Sequence, residues 1–88
     1  MKQQQKFLDE PPTGDALTAY DREHLKTYLR LLDAEADGAG WAEIAECLFG
    51  LDPSKEPERA ARVYASHLAR ARWISEHGYA ELVRSAYH

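Results

Sequence analysis

GWAEIAECLFGLDPSKEPERAARVYASHLARARWISEHG, residues 40–78, decides how this chain folds. Trp41, Ile44, Ala45, Leu48 and Phe49 fall at i, i+3, i+4, i+7 and i+8, the spacing of one apolar helical face. Gly50 supplies the stop. Cys47 stands at the margin of that face and reads as a small packed residue. The next six residues, LDPSKE, break the pattern, because Pro53 disfavours helix at Asp52. They read as an extended turn.

Pro57 then opens a long helix, its fixed φ and missing N–H suiting a first helical position. Glu58 follows in the first turn, where the helix dipole favours an anion. Ala60, Val63, Tyr64, His67, Leu68, Ala71 and Ile74 form its apolar face. Arg59, Arg62, Ser66, Arg70 and Trp73 form a second stripe, roughly a third of a turn away. His77 and Gly78 predict its end. A short scaffold helix leading by a turn into a longer presented helix is the layout of helix-turn-helix domains, which offer the second helix to DNA. The turn here is longer than their usual three or four residues.

Working outward, Thr18-Ala19-Tyr20-Asp21 matches a capping box and predicts the start of a first helix. Leu25, Tyr28, Leu29, Leu32 and Ala36 give it a buried stripe, and Gly38 ends it. Residues 1–16, MKQQQKFLDEPPTGDA, are polar and broken by Pro11, Pro12 and Gly14; they read as a flexible leader with Phe7 and Leu8 available to dock. A last helix is expected from Tyr79 to about Tyr87, turning Tyr79, Leu82, Val83 and Ala86 inward. The expected fold is therefore all-α, about four helices in one domain over residues 17–88.

The 88 residues leave room for one core and no separate catalytic domain. Leu, Ala, Glu and Arg outnumber Val and Ile, which favours helix over strand. One cysteine excludes an internal disulfide and fits a reducing cytoplasm, and no apolar run reaches membrane-span length. The chain is expected to be cytoplasmic. His24, His67, His77 and His88 include no i, i+4 pair of the zinc-binding kind, and Cys47 has no cysteine partner. His67, on the apolar face, reads as a hydrogen-bonded core residue. Neither an enzyme nor a cofactor is expected.

Charge sets the functional question. The net charge is −4. Residues 1–53 carry −6 and residues 54–88 carry +2. A DNA reader gains affinity from counterion release at a cationic face, and +2 is a modest field. Arg59, Arg62 and Arg70 are the residues that would contact phosphates or guanine edges from the third helix. The plainer reading pairs them with Glu56, Glu58 or the acidic first half. Trp73, beside the stripe, reads either as packed beneath the last helix with Tyr79 or as a protein-binding anchor. Asp33, Glu35, Asp37, Glu43 and Glu46 gather between the first two helices, either solvated or facing a basic partner.

YLRLLDAEADGAGWAEIAECLFGLDP (28–53) and EPERAARVYASHLARARWISEHGY (56–79), with WAEIA and SHLARARW the most specific pieces, resemble a domain family of proteobacterial integrative and conjugative elements. The likeness spans roughly Tyr20 to Leu82 and is strongest to the family's small quorum-sensing-controlled antiactivators, of the QseM type. It implies an extended-turn helix-turn-helix fold. In family activators of the FseA type, such a domain implies DNA contact through a positive face and packing of its other side on a partner domain. An antiactivator, by the same resemblance, would occupy that partner domain and block transcription of transfer genes. This chain departs from a DNA-binding member in its acidity and in Ala61 and Ala65, uncharged where a reader could place polar side chains. The expected partner is thus a transcriptional activator of the FseA type, with weak DNA contact, no membrane and a monomeric free state. Arg30, Asp33, Arg70, Arg72, Trp73 and Tyr79 are the expected contacts. The alternative is a DNA-binding repressor using Arg59, Arg62 and Arg70.

Overall fold

A computed structural model of the chain describes residues 7–79. Among these residues there are four α-helices and no strand. They are α1 (Ala19–Glu23), α2 (Leu25–Ala36), α3 (Trp41–Phe49) and α4 (Pro57–Ile74), the last continuing into a π-helical turn, Ser75–Tyr79. The long third helix expected from sequence is α4. The all-α class holds. The helix expected over 79–87 lies outside the described residues, except for the backbone of Tyr79.

The expected first helix is two. Thr18 caps α1 with a complete capping box, its side chain accepting from the Asp21 N–H while the Asp21 carboxylate accepts from the Thr18 N–H. The chain then leaves helical geometry at His24, with φ −112° and ψ 22°, and restarts at Leu25. No glycine or proline marks that break. At the break the His24 ring is buried against Phe7 and Tyr20, at centroid distances of 4.7 and 4.4 Å.

At the other boundaries local chemistry decides. Gly50 ends α3 in the left-handed region at φ 68°. Asp52 organises the extended turn: its carboxylate accepts from the Ser54 N–H and hydroxyl, and its carbonyl accepts from the Lys55 and Glu56 N–H groups. Pro57 stands at the start of α4 as expected. Gly78 does not stop that helix, since the chain passes through it in the π turn. The carbonyl of Trp73 is taken instead by His77 Nδ1 at 2.8 Å.

Among the described residues, two clusters make the core. Leu25, Tyr28, Leu29, Ala71 and Ile74 join α2 to the C-terminal half of α4. Leu31, Ile44, Phe49, Val63 and Leu68 join α2 to α3 and to the N-terminal half of α4. Gripped from two sides, α2 buries more than one stripe, so Leu31 is fully buried although it falls off the predicted face. Ala36, predicted inside, is exposed because it closes the helix beyond those contacts. Trp41 likewise sits at the first position of α3 and is 41% exposed. Cys47 is exposed too, not packed.

Candidate functional site

The site is built on α4 and on the polar segment that precedes α1. Spacing puts Arg59, Arg62, Ser66 and Arg70 on one face of α4, and residues 7–17 lie across it. Phe7 anchors this segment by packing edge-on against Phe49 at 4.8 Å. Leu8 stays 53% exposed. Asp9 then meets the stripe: Arg59 Nε donates to Oδ1 at 3.0 Å, and Arg62 Nη1 donates to Oδ2 at 3.2 Å. The Ser66 hydroxyl donates to the Asp9 carbonyl at 3.1 Å. Arg59 also reaches Glu56, one helical turn back, at 3.2 Å. These groups are nearly half exposed, so solvent screens the attraction.

Arg70 belongs to a different environment. Its side chain is 4% exposed and pairs with Asp21, which is fully buried. Nε and Nη2 donate to the two Asp21 oxygens at 3.1 and 2.7 Å. Its remaining donors reach the carbonyls of Gly14 and Ala16 at 3.0 and 2.9 Å. Asp21 also accepts from the Tyr28 hydroxyl and from the Thr18 N–H and hydroxyl. Burial raises the Asp21 pKa, but the hydrogen bonds from Arg70, Thr18 and Tyr28 outweigh it and hold the carboxyl below its ordinary value. The same carboxylate caps α1, ties down α4 and, through Arg70, fixes the segment before Thr18. The capping box pointed to Asp21 in sequence. Nothing local pointed to its partner 49 residues away.

Behind this pair lies a buried aromatic group. His67 is fully buried, as its place on the apolar face predicts. Its Nδ1–H donates to the Val63 carbonyl at 2.8 Å, which leaves Nε2 to accept from the Tyr20 hydroxyl at 2.7 Å. Burial holds the pKa of His67 below the ordinary histidine value, and burial does the same to His24. Nδ1 of His24 is buried without a hydrogen-bond partner. Among the described residues no group of His, Cys, Asp or Glu is arranged to hold a metal ion, and no helix is long and apolar enough to cross a membrane.

The remaining residues singled out from sequence are dispersed. The guanidinium of Arg70 lies 4.2 Å from the centroid of the Trp73 ring, and His77 stacks on that ring at 4.5 Å. Arg72 reaches from α4 to Glu35 on α2 at 2.8 Å. Arg30 lines a groove between α2 and α3 with Ala34, Ala39 and Cys47. Asp33 is exposed on α2. The side chain of Tyr79 lies outside the described residues.

Residues 2–84 match the family model of the RovC DNA-binding domain, described as the DNA-binding domain of a T6SS transcription factor. The match takes in nearly the whole chain, the N-terminal segment included, so the chain belongs to this family. No curated protein matches it.

Proposed function

Taking membership of a transcription-factor DNA-binding family as the premise, we propose that this chain is an antiactivator that works by binding protein. It would carry the docking surface of a DNA-binding domain into the partner domain of a transcriptional activator of the FseA type. The observation that carries this reading is the state of α4. Each of its four arginines is paired with a carboxylate of the same chain: Arg59 with Asp9 and Glu56, Arg62 with Asp9, Arg70 with Asp21, and Arg72 with Glu35. A helix neutralised in this way releases few counterions from DNA. Ala61 and Ala65 add no charge to it. Acidity therefore acts at the reading helix itself, not only in the net charge of the molecule.

The proposed contacts are Arg30, Asp33, Arg72, Trp73 and Tyr79, with Arg70 stacked on the Trp73 ring. Trp, Tyr and Arg are the side chains that dominate protein–protein hot spots. Purified protein added to the activator is expected to form a complex and abolish promoter activation. Unchanged activation without a detectable complex would sink the reading.

A second reading, a DNA-binding repressor, draws support from the family description and from the half-exposed guanidinium groups of Arg59 and Arg62, whereas Arg70 is 4% exposed and engaged by Asp21. A gel-shift titration at about physiological salt separates the two. A tight shift lost in Arg59→Ala/Arg62→Ala favours the repressor.

A further inference from the structure

We propose that Arg59, Arg62 and Ser66 form a latent site for the DNA phosphate backbone, and that Asp9 occupies it as an internal substitute for a phosphodiester. This inference rests on the reading of a DNA-binding scaffold with a neutralised face, and it names the residue that does the neutralising.

The geometry has three parts. First, the two arginines divide the Asp9 carboxylate between them, Arg59 on Oδ1 and Arg62 on Oδ2. A phosphodiester also offers a single negative charge over two outer oxygens, so one donor set suits both anions. Second, Arg59 and Arg62 fall in the first two turns of α4, the end from which a helix-turn-helix reading helix approaches DNA. Third, the carboxylate is delivered by a segment with holds of its own. Phe7 packs on Phe49, Arg70 binds the carbonyls of Gly14 and Ala16, and Ser66 binds the Asp9 carbonyl. Asp9 is thus held at a high effective concentration while its ion pairs stay exposed, 43% for Asp9 and 45% and 47% for the arginines. An exposed pair of this kind exchanges with competing anions, and a polyanion competes best at low salt.

The test is a fluorescence-anisotropy titration of the full chain with a 20-base-pair duplex, from about 50 to 300 mM salt. Asp9→Ala is expected to bind at least about ten-fold tighter than the parent at the low end, with the log–log salt slope steeper by about 1 to 2. Asp37→Ala removes the same charge from the end of α2 and controls for net charge. Arg59→Ala/Arg62→Ala in the Asp9→Ala background is expected to erase the gain. Asp9→Asn, which keeps the side-chain shape and removes the charge, is expected to gain affinity as well, and a thermal melt of each variant checks that the fold is retained. No gain in Asp9→Ala, an equal gain in Asp37→Ala, or a gain that survives loss of both arginines would each overturn the proposal. The titration contains no activator, so its failure is separable from failure of the antiactivator complex.

Discussion

At the scale of single residues, the contrast between Arg70 and Arg62 shows how burial changes the meaning of an ion pair. They lie on one stripe of α4, yet the Arg70 side chain is 4% exposed and that of Arg62 47%. Removing one partner of a buried pair strands the other charge, at a cost of about 3–5 kcal/mol. We therefore expect Arg70→Ala to lower the unfolding free energy by that amount in urea titrations, leaving Asp21 unpaired. Arg62→Ala should stay within about 1 kcal/mol of the parent. The buried histidines set the response to acid. Both are held neutral in the fold, with pKa values below the ordinary histidine value of 6.5. Below about pH 6.5 the unfolded chain binds more protons than the folded one, so stability falls as pH falls. Asp21 adds to the loss below about pH 3.8, where the unfolded carboxyl takes up its proton first. Melting temperatures should drop from pH 7 to pH 5. His24→Phe, which removes a titrating ring and its unpartnered Nδ1, should flatten that dependence.

At the scale of elements, the two ends of α3 call for opposite substitutions. Gly50 closes the helix at φ 68°, and a Cβ at that position would meet open space, so only backbone strain opposes a side chain there. Gly50→Ala should cost about 1–2 kcal/mol. Gly40 begins the same helix at φ −72° and ψ 151°, without a side-chain cap and with equally open space. Gly40→Ser should cap the helix, stabilising it by about 0.5–1 kcal/mol through the new hydrogen bond and a less flexible unfolded chain. Chemical denaturation of the two variants gives both signs in one experiment. The capping of α1, the stop at Gly50 and the start at Pro57 are readable in sequence because their causes lie within a few residues. The break at His24 is not, since one wall of the ring's pocket is Phe7, which is 17 positions away.

At the scale of the whole molecule, the folded chain brings its acidic first half onto its basic second half. Asp9, Asp21 and Glu35 each meet an arginine of α4. Nonspecific DNA binding by the parent protein should accordingly be weak, with a Kd no tighter than about 10⁻⁴ M at physiological salt in an anisotropy titration. A Kd near 10⁻⁶ M would show that these pairs do not shield the helix.

Helical class, the extended turn, the arginine stripe and the core place of His67 follow from periodicity and turn chemistry, which act between neighbours along the chain. The pairing of that stripe does not. Asp9 meets Arg59 and Arg62 across separations of 50 and 53 residues, and Asp21 meets Arg70 across 49. Composition says only that carboxylates outnumber arginines. The packing of the N-terminal segment against α4 selects which carboxylate neutralises which arginine, because Coulomb attraction and hydrogen bonding act through space and take no account of chain order.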